Sequence, residues 1–533
     1  MLLRVAGYGI AWLVLAVGIG LGVFLTSERT VDIASHESLL SPDLSGEVVV
    51  RTGPVLPDLR LDSGSWVGVE IVLGNTDVTS IDVLGQRYAR IASAPQGQIA
   101  AVKRTLTDMA VDSAVRGAGL ALIPLLVWAV IGGARRRELA RRLGSRRGLV
   151  ALLPLVLVVA LVTWPWQDEQ PVGRNTARWQ TLAAFLGPEV PLPADAPDVD
   201  VLATGVSGST QRFVTSIVSS YRRGQEFYNA AIEASVELNL RQPEEGETVA
   251  LVVSDRHDNI GMDEVARAVG DAGGATAVFD AGDDTSTGES WEAFSLDSLH
   301  AAFDDIDDRW AVAGNHDHGT FVREYLSDLG WTYFDGEVID GPGDSRLLGV
   351  DDPRSSGLGD WRDESGLSFS EVEERLTEAA CAADADGDRV NTLLVHDANI
   401  GSTALDRGCV DLVIGGHTHV EEGPIEVVGD NGATGYRFTV GTTGGAAYAV
   451  AVGSKLRRAA GVALITYRDG RPVGIQGVTL QTNGRYDVGA WTELTYPSAE
   501  ESDGAAGGPS GSPTGSPAED ASTPGTTGTT ESP

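Results

Sequence analysis

Residues 249–259 read VALVVSDRHDN. Five apolar residues in a row, three of them valine, predict a strand buried on both faces. An acid and a histidine, Asp255 and His257, follow two apart at its end. At a strand end, residues i and i+2 point to one side, so both side chains can reach one ion. An isolated Asp-x-His is more often a polar surface turn. Its meaning depends on whether the rest of a metal cage appears downstream, and on which side of a membrane that cage would lie.

The same grammar recurs along the chain. "ATAVFDAGD" ends on Asp283, and "RWAVAGNHD" ends on Asn315, His316 and Asp317. "NTLLVHD" carries His396, and "VDLVIGGHTH" carries His417 and His419. Each is an apolar run that delivers its metal-binding residue types at the carboxyl end. Parallel sheets gather ligand loops at that edge, which predicts an α/β domain with one shared site. The donor set mixes carboxylate, amide oxygen and imidazole and contains no thiolate. It suits Mn²⁺ best, then Fe or Zn²⁺, and suits neither Cu(I) nor an all-oxygen Ca²⁺ site. Five of the eight histidines fall in these motifs, in order, which makes chance a poor explanation.

The series D-x-H, G-D, G-N-H-D, H, G-H-x-H resembles the calcineurin-like metallophosphoesterase superfamily over about residues 247–450. The resemblance implies a four-layer α/β/β/α sandwich of two sheets with two divalent metal ions at the strand ends. By it, Asp255, His257, Asp283 and His419 hold one metal. Asp283, Asn315, His396 and His417 hold the other, with Asp283 bridging. His316 lies beside the phosphate, and Asp317 orients it. The implied activity is hydrolysis of phosphate mono- or diesters, with His316 protonating the leaving oxygen or stabilising its charge. Three features depart from the family pattern. Ser286 stands where many members carry a second acid, "HDAN" follows the lone histidine, and Asp280 puts a carboxylate into an apolar strand. None removes an implied ligand. Asp280 reads equally as a partner orienting a ligand histidine and as a satisfied buried acid. The glycine-rich "GTTGGA" from Gly441 lacks a P-loop lysine and reads as a plain turn, with lining of the site as the alternative.

Upstream, three apolar segments are long enough to cross a bilayer, within 1–27, 117–134 and 149–166. The loop 135–148 between the second and third holds seven arginines and predicts a cytoplasmic side. Residues 28–116 are then an extracytoplasmic β-rich module, 167–246 a connector, 247–495 the metallophosphoesterase domain and 496–533 a disordered Ser/Thr/Pro/Gly tail. The expected protein is a multi-pass cell-membrane protein whose catalytic domain is extracytoplasmic and whose substrate is a phosphoester. Its formal net charge of −36 argues against nucleic-acid binding. No protein partner is legible. Cys381 and Cys409 fit no zinc-finger spacing and read equally as one disulfide or two thiols. The competing reading is a non-enzymatic envelope protein that uses the metals structurally in a binding or sensing domain.

Overall fold

The structure is a computed structural model, and it describes residues 2–52, 56–76, 84, 88, 91, 96–143, 179–186, 199–202, 208–357, 360–363, 365–446 and 456–496. The third expected span and nearly all of the expected tail lie outside these residues.

Helix Leu2–Leu25 comes first, followed by strands β1 (Arg29–Ile33), β2 (His36–Asp43), β3 (Glu47–Arg51), β4 (Leu59–Asp62) and β5 (Gly68–Leu73). Two later strands, β6 (Trp179–Thr181) and β7 (Asp200–Leu202), join the same sheet in the order β1-β2-β5-β3-β4-β7-β6. The segment expected as a connector therefore supplies two strands to the N-terminal module's sheet. The stretch before the second expected span is helical, Gln96–Leu120, and is continued by Leu122–Val130. Two stretches, Ala6–Leu25 and Gln96–Val130, are long and apolar enough to span a membrane. The arginine segment lies largely in helix Gly133–Leu143.

The domain expected over 247–495 is built on β8 (Glu247–Val253). Its side chains alternate between two cores as strand geometry requires. Ala250 and Val252 face one cluster with Phe279, Leu394, Ile414 and Ile465. Val249, Leu251 and Val253 face another with Leu299, Phe303 and Val322.

The remaining strands follow in chain order as β9 (Ala275–Asp280), β10 (Asp308–Ala311), β11 (Thr332–Tyr333), β12 (Ile339–Asp340), β13 (Arg346–Val350), β14 (Arg354–Gly357) and β15 (Asp360–Asp363). After them come β16 (Val390–Val395), β17 (Val410–Gly415), β18 (Glu422–Val428), β19 (Thr434–Thr439), β20 (Ala460–Arg468), β21 (Arg471–Leu480), β22 (Tyr486–Val488) and β23 (Thr492–Glu493). One sheet runs β11-β10-β9-β8-β20-β21-β22, with β23 against β21, and the other runs β12-β13-β16-β17-β19-β18.

The first cluster fills the space between the sheets. Helices Asp263–Ala272, Ala293–Phe303 and Phe321–Asp328 cover the outside of the first sheet. Helices Phe369–Ala385 and Ser402–Asp406 cover the second. These are the four layers that the resemblance implies. The parallel pairs β8–β9, β9–β10, β13–β16 and β16–β17 bring the metal-binding motifs to one edge. Asp469 and Gly470, with φ of 52° and 77°, form a two-residue hairpin turn between β20 and β21. Cys381 and Cys409 form a disulfide, because helix Phe369–Ala385 packs beside the approach to β17.

Candidate metal centre

Ligand atoms of Asp255, His257, Asp283 and His419 lie within 4.8 Å of one another. Strand alternation does not align them as the sequence suggests, because β8 ends at Val253 and β17 at Gly415, before the ligands begin. Left-handed loop conformations do so instead. Asp255, His257, Asp283, His417 and His419 have φ of 52°, 43°, 59°, 70° and 61°. They are half of the ten non-glycine residues with positive φ among the described residues. Such backbone costs about 1–3 kcal/mol each and persists where the surroundings enforce it. Two glycines let the loops close. A Cβ at Gly314 would lie 2.2 Å from Asp283 Oδ1, and one at Gly416 would lie 2.4 Å from Asp255 Oδ2.

The hydrogen bonds fix which imidazole nitrogen faces the centre. Backbone carbonyls only accept, so each histidine nitrogen bonded to one carries a proton. His257 Nδ1 donates to Thr285 O at 3.3 Å and His419 Nδ1 to Ala446 O at 3.1 Å. Their Nε2 lone pairs then face each other at 3.1 Å. Asp255 Oδ1 is 3.2 Å from His419 Nε2, yet it is buried without a hydrogen bond.

The second cluster repeats the pattern. His396 Nδ1 donates to Ala281 O at 2.7 Å, which turns its Nε2 toward Asn315 Oδ1 at 3.1 Å and Asp283 Oδ2 at 3.3 Å. His417 Nδ1 lies 3.0 Å from the same Asn315 oxygen. Asp283 Oδ2 is also 3.7 Å from His257 Nε2, so one carboxylate stands between the clusters. Converging lone pairs and orphaned acceptors repel one another unless a cation sits among them. All seven sequence-expected ligands are gathered, and the donor set fits two divalent ions.

Electrostatics agree. Burial lowers His257 to about 4, leaving a neutral imidazole able to ligate. Burial alone would lower His396, but Asp283 and Asp255 outweigh it and the net direction is up. That spot therefore calls for positive charge, as a proton or as a metal ion.

His316 stands beside this centre, its ring 5.1 Å from that of His257. Its backbone N–H donates to Asp283 Oδ1 at 2.8 Å. Asp317 does not orient the ring as expected. Its carboxylate instead accepts from the backbone N–H of Gly314, Asp284 and Thr285 at 3.0, 3.1 and 2.9 Å, and from Thr285 Oγ1 at 2.7 Å. Asp317 thus stitches the Asn315 loop to the Asp283 loop. The partner of His316 Nδ1 is the Ser286 carbonyl, at 3.1 Å.

Two supporting groups, Glu292 and Arg256, escape sequence reading. Glu292 is fully buried and accepts from Ser286 N, Thr287 N and Thr287 Oγ1 at 3.0, 3.1 and 2.7 Å. It gives the loop a carboxylate where Ser286 replaces an acid. Arg256, between the two first ligands, is fully buried against Asp263, Asp284 and the Ser295 carbonyl. The "GTTGGA" stretch does more than turn. Thr442 Oγ1 donates to Asp255 O at 2.7 Å, and Ala446 orients His419. Asp280 orients no histidine. It accepts from Gly282 N at 3.0 Å and shapes the turn into Asp283.

Residues 249–421 match the family model described as calcineurin-like phosphoesterase, and this part of the chain belongs to that family. The chain therefore carries a metallophosphoesterase domain and is a hydrolase of phosphoric esters. Among solved structures, a dimetal phosphatase from Danio rerio is 12% identical over 47% of this chain and 99% of its own, with a TM-score of 0.31. A novel archaeal phosphodiesterase is 13% identical over 45% of this chain and 99% of its own, with a TM-score of 0.26. A sulfate thiohydrolase from Thermus thermophilus is 19% identical over 47% of this chain and 46% of its own, with a TM-score of 0.26. Among curated proteins, none matches the sequence.

Proposed function

We propose that the protein is a membrane-anchored hydrolase of phosphate mono- or diesters whose dinuclear centre works outside the cytoplasm. The carrying observation is the convergence of the His257, His419 and His396 Nε2 lone pairs on Asp255 and Asp283 carboxylate oxygens. Two divalent ions, Mn²⁺ first, would supply Lewis acidity there, neutralising phosphate charge and acidifying water. Asp255, His257, Asp283 and His419 would hold one, and Asp283, Asn315, His396 and His417 the other.

The chain's own contribution is geometry and a proton. With Nδ1–H held by Ser286 O, His316 presents Nε2 as the group that gives a proton to the leaving oxygen. Asp317 keeps the two metal loops in register. The disulfide supports an oxidising compartment, and the arginine-rich segment after the second apolar stretch supports the same orientation. A purely structural metal site would need the cage but not His316, which favours the enzyme over a metal-stabilised sensing domain.

The test is a panel of mono- and diesters assayed with the full chain, with chelator and then added Mn²⁺. Chelation is expected to abolish turnover and Mn²⁺ to restore it. No turnover of any ester by metal-loaded protein would overturn the reading.

A further inference from the structure

We propose that the N-terminal module is a positioning element of the metal centre, and that Arg104 and Asp297 are the positioning residues through which it holds the Ser286 loop and, with it, His316; this rests on the hydrolase reading above.

Helix Gln96–Leu120 is part of the module's core, where Met109 is buried among Leu40, Val69 and Ile71 of the sheet. The start of the helix has a different neighbour, helix Ala293–Phe303. A Cβ on Gly97 would lie 2.5 Å from Ser298 N, so glycine is what permits the approach. Arg104 pairs with Asp297, whose side chain is fully buried. That carboxylate also accepts from Tyr325 Oη at 2.9 Å and from Gln98 Nε2 at 3.4 Å. The oxygen of the Gln98 amide accepts from Ala34 N at 2.8 Å, which ties the turn between β1 and β2 into the same contact. Without its guanidinium partner, Asp297 would be a buried carboxylate short of a cation.

Between the module and the metal loops stands one continuous piece, the turn Ser290–Glu292 running into helix Ala293–Phe303. Its two sides have different partners. Trp291 and Phe294 pack with Ala34 and Ile91 of the module, and Ser298 lies against Gly97. Glu292 and Ser295 serve the metal loops. Glu292 accepts from Ser286 N at 3.0 Å. Ser295 Oγ donates to Asp284 O, and Ser295 O accepts from Arg256 Nη2, both at 3.0 Å. Positions three or four apart share a helix face, so this spacing separates the two sets.

The contacts join end to end. Asp284 follows the bridging Asp283, and the Ser286 carbonyl holds His316 Nδ1. A tilt of the piece against the module moves Glu292 and Ser295 together, and with them the peptide that aims His316. Rigid elements carry coupling in this way. The ligand loops also hold one another directly, Asp255 N to Gly282 O at 2.8 Å and Asp284 N to Asp317 Oδ2 at 3.1 Å. Disturbed docking should therefore impair proton delivery before it releases metal.

The test uses the full chain in detergent, loaded with Mn²⁺. Glycerol phosphate and glycerophosphocholine supply alkoxide leaving groups, and p-nitrophenyl and bis-p-nitrophenyl phosphate supply p-nitrophenolate. Arg104→Ala and Gly97→Leu should each lower kcat about tenfold, the scale of changes along a coupled network, with KM and metal content near wild type. The loss should be larger for the alkoxides. Arg104→Lys should recover part of it, and Arg104→Ala should cost little more once His316 is alanine, because coupled sites do not add. Thermal unfolding identifies a variant that has lost its fold, and the Arg104 pair carries the test if Gly97→Leu does. Unchanged kcat in folded variants, or a loss equal for both leaving groups and additive with His316→Ala, would overturn the inference and leave the hydrolase reading standing. Absence of wild-type turnover on every ester would remove that reading itself.

Discussion

Asp283 is the residue on which the centre turns, because its Oδ2 is the carboxylate oxygen shared by His257 and His396. Asp283→Ala is expected to lose more activity than loss of any single histidine ligand, and elemental analysis should show both metal positions depleted. One position still filled would refute the bridging role. His316 is the contrasting case, close to the centre but bonded to Ser286. His316→Ala should keep metal content and melting temperature while turnover falls about a hundredfold or more, the scale of a lost general acid. The loss should be larger for alkoxide leaving groups than for p-nitrophenolate, and equal losses would reduce His316 to an electrostatic group. Glu292 acts one step further back by fixing the Ser286 peptide. Glu292→Ala should lower kcat about 10- to 100-fold, as losses of supporting groups around metal ligands do, with metal content and KM little changed. Glu292→Gln should recover part of it, whereas unchanged kcat in the alanine variant would deny the positioning role.

At the level of elements, the loop after β8 depends on Arg256. Its guanidinium makes two hydrogen bonds to Asp263, at 2.9 and 2.8 Å, and one to Asp284 at 2.8 Å, all buried. Asp263→Ala would leave a buried cation short of a partner, a change that typically costs about 3–5 kcal/mol. Thermal unfolding should show the loss, and an unchanged Tm would mean that the cation finds another partner or water. Strand ends and ligands were readable because apolar runs and metal-binding residue types are local signals. The left-handed turns at Asp255 and His417 were not, since φ is imposed by loops closing against one another. Arg256 carries no local signal between the two ligands, because its partners are 7, 28 and 39 residues away. Glu292 hid in a capping box at a helix start, where an acid has an ordinary reason to be. The strands β6 and β7 are three residues each, too short for a periodic pattern to mark them as part of the module's sheet.

For the whole molecule, two features bear on orientation. The seven arginines of 135–147 favour the cytoplasm, and the Cys381–Cys409 disulfide favours an oxidising space. Those demands are compatible only if an odd number of spans separates the arginines from the catalytic domain. The expected span 149–166 would provide the one required. A reporter that works only outside the cytoplasm, fused after residue 200, should therefore be active, and the same reporter fused at residue 140 should be silent. In parallel, mass spectrometry without reduction should find Cys381 and Cys409 linked in protein isolated from cells. Silence after residue 200 together with two free thiols would put the metal centre in the cytoplasm. A silent fusion with an intact disulfide would instead implicate the fusion site, because a persistent structural disulfide is rare where thiols are kept reduced.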